Sequence, residues 1–165
     1  MHPATLITQF RACAWALNRN LEGVDDEIAL RPGANSAASI NWVVGHLAGV
    51  RNNILALTTG ETLYPKEDFA AYFNPEEPLT AEQAMPLSEL RERYEALTEP
   101  LFAALKQATP EFLAKKAPFS PTRNENETMG SLLATLAFHE SYHTGQTGIL
   151  RRAAGLGAAF KPAPR

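Results

Sequence analysis

The histidines are the residues of this chain whose type and spacing point most directly to chemistry. The 165 residues include four of them, His2, His46, His139 and His143. Helical residues four apart are neighbours, with Cβ atoms roughly 5–6 Å apart, so His139 and His143 can offer two imidazoles to one metal ion. Such a pair also occurs among ordinary buried histidines that hydrogen-bond a neighbour. The pair alone therefore does not decide between a metal site and a structural role.

The surroundings of this pair favour a metal site. At 100° per residue, the two histidines and Gln146 fall within about 40° of one apolar line. The leucines on that line are Leu132, Leu136 and Leu150. Buried imidazole and amide groups need partners, because an unpaired buried polar group costs roughly 1–3 kcal/mol. His46 lies about 80° from the centre of its own apolar stripe, on a shoulder that can face a neighbouring helix. Three histidines can therefore converge, whereas His2 is expected to be solvated at the terminus.

Three neutral imidazoles suit one divalent cation with an open coordination position, which is the arrangement of a catalytic site rather than a structural one. Zn²⁺ is the favoured ion, and nickel or iron could also occupy such a site. The metal could activate water, polarise a carbonyl group or hold a thiol as its thiolate. Spacing alone does not choose among these roles.

Three further polar side chains could serve a substrate. Gln146, one turn beyond the histidine pair, could bind a ligand or make a supporting hydrogen bond. Asn53 and Arg51 lie one to two turns beyond His46 and could hold an anionic substrate, although a surface charge is the favoured interpretation of Arg51. Glu140 points about 100° away from its histidine neighbour, so we predict neither a ligand nor a general base there.

Four amphipathic segments must position these residues. Prolines and glycines bound windows in which apolar residues recur at three- and four-residue spacing, as in helices. The four windows run from about Ala4 to Leu21, Ile40 to Leu57, Leu87 to Lys106 and Thr128 to Ala154. Ser36 or Ser39 can cap the second helix, and Pro100 is expected to kink the third. The proline-containing segments 61–86 and 109–127 are predicted as long, irregular crossovers. No window alternates like a strand, so the predicted fold is an all-α four-helix bundle with long crossover connections.

Composition excludes several classes of protein. The length suits one domain over residues 1–165, and 45% of the residues are hydrophobic. With a net charge of −3, the chain lacks the excess positive charge that would attract a polyanion, so nucleic-acid binding is disfavoured. The single cysteine, Cys13, permits no internal disulfide and is predicted to be a small buried side chain. We expect a cytoplasmic protein with no membrane partner, since the sequence shows neither a signal peptide nor an apolar run of ~20 residues.

Two segments resemble a known family. They are SINWVVGHLAGVRNNILAL at residues 39–57 and LAFHESYHTGQTGILRRAAGL at residues 136–156. Both are similar to the DinB-like metal-binding four-helix family, which also includes mycothiol-dependent maleylpyruvate isomerases and bacillithiol S-transferases. The matching positions are Gly45, His46, Leu47, His139, Glu140, His143, Gly145, Gln146, Leu150 and Arg151. The resemblance implies that His46, His139 and His143 are the metal triad, with water completing the shell, and that the protein forms a homodimer.

Three functions follow as hypotheses. The leading one is a metal-dependent transferase or isomerase that uses a low-molecular-weight thiol on an electrophilic small molecule. The second is a metal-dependent hydrolase of an amide or ester, which needs a nearby general base that the sequence does not nominate. The third is a non-catalytic, metal-binding stress-response protein.

Overall fold

The computed structural model describes residues 2–33, 38–74 and 76–160, and within these ranges the fold is all-α, as predicted. The described residues form no strand and have only isolated β-bridges. The helices are α1 (Pro3–Asn20), α2 (Asp26–Leu30), α3 (Ile40–Thr59), a 3₁₀ helix (Lys66–Phe73), α4 (Leu87–Ala96), α5 (Thr98–Gln107), α6 (Pro110–Ala114) and α7 (Met129–Ala153).

Three of the four predicted helices are continuous, and the third is divided. The prediction of one kinked helix from Leu87 to Lys106 is wrong, because α4 ends at Ala96 and α5 begins at Thr98. Pro100 lacks an N–H, and its ring clashes with the carbonyl of the residue four positions earlier, which is Ala96. The interruption therefore falls one turn before the proline.

The connections contain more helix than the sequence pattern indicated. The first loop holds the short α2, and the crossover over 61–86 holds the 3₁₀ helix. The crossover over 109–127 begins with α6, whose N-terminus is capped by the Thr109 side chain. These short elements lack the repeated apolar spacing that a periodicity argument needs.

Side-chain caps determine where the two helices with the candidate histidines begin. Ser39 caps α3 by accepting a hydrogen bond of 3.2 Å from the Trp42 N–H. Ser36, the other predicted cap, lies outside the described residues. Thr128 caps α7, accepting from the N–H of Ser131 while the Ser131 hydroxyl accepts from the Thr128 N–H.

The long helices pack around one another in a closed arrangement. α1 packs against α7 and α5, and α3 packs against α4, α5, α7 and the 3₁₀ helix. The core between them includes Leu6, Phe10, Leu17, Leu47, Ile54, Leu90, Leu101 and Leu133, all nearly inaccessible to solvent. None of the helices among the described residues is long and apolar enough to cross a membrane. Packing of α3 against α7 is what brings the candidate histidines together.

Candidate metal centre

The three internal histidines meet where α3 packs against α7. Candidate ligand atoms of His46, His139 and His143 all lie within 4.8 Å of one another. Their ring centroids are 4.3–5.1 Å apart. His46 is buried, and the two histidines of α7 are half-buried. This cluster could bind a metal ion, and His2 takes no part in it because its ring caps the N-terminus of α1.

Hydrogen bonds at Nδ1 orient two of the three rings. The His46 Nδ1 lies 2.8 Å from the carbonyl oxygen of Tyr72. A carbonyl only accepts, so this Nδ1 carries the proton and the neutral ring keeps a lone pair on Nε2. The His143 Nδ1 similarly donates to Oε1 of Gln146 at 2.7 Å, which leaves its Nε2 free. Such bonds fix the tautomer of metal-binding histidines and raise their basicity.

The spacing of the nitrogens fits one small cation. Nε2 of His46 and Nε2 of His139 are 3.2 Å apart. Two nitrogens bound to one zinc ion at ~2.0–2.1 Å and a tetrahedral angle would be about 3.3 Å apart. The buried Nδ1 of His139 has no hydrogen-bond partner among the described residues, so no bond of the kind that His46 and His143 make fixes the tautomer of this third ring. The donor set is therefore suitable for a divalent cation that prefers nitrogen ligands.

Burial keeps the three imidazoles neutral, as metal binding requires. Desolvation lowers the pKa of His46 to about 4, although the hydrogen bond that its Nδ1 donates to the Tyr72 carbonyl opposes the shift. Burial also lowers the pKa of His139 to about 4, helped by the nearby charge of His143. The pKa of His143 is lowered by the same cause, although its bond to Gln146 opposes the shift. At neutral pH all three rings offer lone pairs rather than charges.

Aromatic side chains surround the cluster, and the sequence interpretation missed them. The Trp42 ring stacks on His46 at 4.8 Å and 8°, while its indole N–H donates to the Asn74 carbonyl. Phe73 meets the same imidazole edge-on at 5.1 Å. Tyr142 packs edge-on against His143 at 5.2 Å. Trp42 could have been found, since it lies one turn before His46 on the same face of α3.

The α7 histidines lie at the edge of the buried face, although the sequence placed them on its apolar stripe. The most buried line of α7 runs through Leu133, Ala137, Glu140, Thr144, Thr147 and Arg151. Small and polar side chains let α1 approach closely here, and Asn20 of α1 donates to the Thr144 carbonyl and the Thr147 hydroxyl. The histidines therefore face the α3 side of α7 and remain partly accessible.

Arg51 is neither a surface charge nor available to a substrate, and both interpretations of it are wrong. Its side chain is fully buried and pairs with Glu140 at 2.6 Å. Arg51 also donates hydrogen bonds to the Thr98 hydroxyl and the Phe10 carbonyl. The Tyr94 hydroxyl donates to Glu140 at 2.8 Å. A fully buried arginine needs such partners. Sequence reasoning missed this network because its members come from five separate helices.

The other predicted residues have distinct positions. Gln146 bonds His143, the supporting role allowed for it. Asn53 is half-buried and lines a pocket next to the 3₁₀ helix, on the same face of α3 as His46. Glu140, excluded as a ligand, faces away from the cluster toward Arg51. Cys13 is buried, as predicted.

The fold and the site together define a helical protein with a three-histidine cluster that could bind a metal. The sequence matches the DinB superfamily over residues 9–147, which is most of the chain. The chain therefore belongs to the DinB superfamily. A comparison with curated proteins finds no match.

Proposed function

We propose that this protein is a metal-dependent enzyme that binds one divalent cation through His46, His139 and His143. Zn²⁺ is our first choice of ion, with nickel or iron as substitutes. We further propose that it is a transferase or isomerase that joins a low-molecular-weight thiol to an electrophilic small molecule. The observation that supports the proposal best is the convergence of three neutral imidazoles, two of them with Nδ1 already engaged.

Several residues around the histidines would have separate roles in such a site. A bound Zn²⁺ would supply the charge that keeps a thiol in its reactive thiolate form at neutral pH. The Tyr72 carbonyl and the Gln146 amide hold two rings in position through their Nδ1 protons. Trp42 and Phe73 cover His46 with apolar surface, which excludes water from one side and strengthens electrostatic interactions there.

The surroundings of the cluster give less support to the hydrolase alternative. Hydrolysis needs a general base near the attacking water. The carboxylate closest in sequence to a candidate ligand is Glu140, and it accepts hydrogen bonds from Arg51 and Tyr94 in the buried network. Glu140 is therefore a structural residue and is not available as a general base. The thiol reaction needs no such base and remains our proposal.

Metal analysis is the first test. We expect about one zinc, nickel or iron ion per chain after purification without an affinity tag, and about one zinc ion after incubation with zinc. His143→Ala, with His2→Ala as the matched histidine control, should lower the metal content while the control does not. A folded wild-type protein with no metal above background would contradict the proposal.

Turnover distinguishes the three functions. Product formation from an electrophile such as 1-chloro-2,4-dinitrobenzene should require an added thiol and should be lost in His143→Ala. Thiol-independent cleavage of an ester would instead support the hydrolase. Loss of folding stability in His143→Ala, in a protein that shows no reaction with either substrate class, would support the non-catalytic alternative.

A further inference from the structure

A small pocket lies beside the histidine cluster, between α3 and the 3₁₀ helix. It has a volume of about 200 Å³, and it is lined by Gly49, Asn53, Lys66, Phe69 and Phe73. Gly49 lets the two helices approach, because a Cβ there would lie 2.8 Å from the Phe73 ring and 2.9 Å from Cβ of Phe69. The pocket therefore has an apolar inner side and two polar residues.

The pocket and the histidine cluster share one face of α3. Gly49 and Asn53 follow His46 by three and seven residues, so they lie along the same side of the helix. At 1.5 Å of rise per residue, Asn53 is about 10 Å farther along the axis. Phe73 connects the two places, since its ring contacts the His46 imidazole and also lines the pocket. A single elongated small molecule can therefore reach both.

The polar residues of the pocket are free to bind an anion. Within the described residues, neither the Lys66 ammonium nor the Asn53 amide has a hydrogen bond or ion pair. The nearby carboxylate of Asp68 is occupied by Arg93 at 2.5 Å, and Glu67 is an exposed neighbour in the same short helix. An ammonium group beside an amide N–H matches a carboxylate, which accepts from both.

We propose that this pocket binds the carboxylate of a molecule whose reacting end lies at the histidine cluster. The inference rests on the proposed function, since it assigns the pocket to a participant in the same reaction. Two participants could carry the carboxylate, namely the thiol and the electrophile. The separation of about 10 Å selects a carboxylate some eight to nine bonds from the reacting atom, given ~3.3–3.6 Å for each three bonds of extended chain.

The test uses protein loaded with Co²⁺, whose absorption changes when a thiolate binds. The probes are 3-mercaptopropionate, 6-mercaptohexanoate and 8-mercaptooctanoate, each compared with the mercapto-alcohol of the same length. At the longest length we expect the carboxylate to bind about twofold to fivefold more tightly, as for a solvent-accessible ion pair. Lys66→Met should remove this advantage and Lys66→Arg should keep it. Lys106→Met, an exposed lysine on α5, is the matched control.

Octanoate, which has no sulfur, forms the second arm, with the side-chain amide resonance of Asn53 as the readout. A shift of that resonance by octanoate, without a carboxylate advantage among the thiols, assigns the pocket to the electrophile. An advantage among the thiols assigns it to the thiol. The proposal is overturned if no thiol shows a carboxylate advantage and octanoate leaves the Asn53 resonance unshifted. It is also overturned if the carboxylate advantage survives in Lys66→Met. Absence of cobalt binding, or of any response to the mercapto-alcohols, contradicts the proposed function instead, and the octanoate arm still tests the pocket.

Discussion

Gln146 is the side chain outside the histidines with the most direct influence on the candidate metal centre. Its Oε1 accepts the Nδ1 proton of His143. Loss of such a supporting bond typically lowers metal affinity 10–100-fold, because the ring loses its orientation and basicity. We expect Gln146→Ala to weaken zinc binding by about tenfold or more in a competitive chelator titration. Gln107→Ala, at an exposed position on α5, is the control, and equal affinities of the two variants would contradict the role.

The sequence predicted the histidine cluster better than the groups that support it. His139 and His143 follow from helical spacing, and His46 from its place on the shoulder of a second helix. The acceptor for His46 is a backbone carbonyl in a crossover, at Tyr72, and no side-chain pattern marks a carbonyl. Arg51 was misread for a related reason: a charged residue looks like a surface group until its distant partners are known.

At the scale of helices, the approach of the 3₁₀ helix to α3 depends on Gly45. A Cβ at Gly45 would overlap the ring of Tyr72, whose carbonyl holds His46. We expect Gly45→Ala to reduce the free energy of unfolding by about 1–3 kcal/mol, as for overpacked cores. The variant should also weaken zinc binding, because the crossover must shift.

The matched control for this substitution is Gly145→Ala on α7. No atom of the same chain lies within 4 Å of a Cβ built there, so within one protomer the added methyl group meets open space. Since alanine favours helix over glycine by up to about 1 kcal/mol, this variant should be neutral or more stable. Both variants are measured by chemical denaturation and chelator titration. A Gly45→Ala protein as stable as the Gly145→Ala protein would refute close packing at the crossover.

The buried pair of Arg51 and Glu140 holds α3 and α7 together next to the histidines. Glu140→Ala leaves the guanidinium buried without its countercharge, so we expect a loss of about 3–5 kcal/mol in the free energy of unfolding. Glu27→Ala removes the carboxylate of an exposed ion pair with Arg31 and should change stability by less than about 1 kcal/mol. Chemical denaturation of the two variants measures both losses in the free energy of unfolding. Similar small losses would show that Arg51 finds other partners or water.

A double replacement checks the same pair without an orphaned charge. Arg51→Met combined with Glu140→Leu removes both charges and fills much of the space, so it should be more stable than Glu140→Ala alone. Because Tyr94 also donates to Glu140, part of the loss should remain. A double variant no more stable than Glu140→Ala would assign the effect to packing rather than charge.

The stability of the whole metal-free protein should depend on pH through the same imidazoles. Burial holds the pKa of His46 and of His139 at about 4, below the ordinary 6.5 of the unfolded chain. Between these values the unfolded chain binds more protons, so the free energy of unfolding falls as the pH drops from 6.5 toward 4. Thermal unfolding at several pH values measures this. His139→Gln should reduce the slope of the unfolding free energy against pH by the equivalent of up to about one bound proton. An unchanged slope would contradict the contribution of His139.

The all-α prediction is confirmed because apolar spacing over long windows determines which faces pack. The sequence did not predict which large apolar side chains remain exposed on the surface. Large exposed apolar side chains gather on neighbouring parts of α1 and α7 and on the segment after α7: Trp15, Phe138, Tyr142, Ile149 and Phe160. Trp15 and Phe160 contact each other at 5.1 Å, and Phe160 lines a cleft with Ile149. Large exposed apolar side chains on adjoining elements are typical of an interaction site.

This apolar face makes the homodimer a prediction about a specific surface. Phe138 and Ile149 are 69% exposed and lie on one side of α7, so a second copy related by a twofold axis can cover them with its own face. Light scattering after gel filtration should give twice the mass of one chain. Phe138→Asp combined with Ile149→Asp should give a monomer, because pairing would bring like charges together in an apolar contact. Phe119→Asp, at another exposed aromatic residue in the second crossover, should remain dimeric. A wild-type protein that is monomeric at high micromolar concentration would refute the pairing and leave this face for another partner.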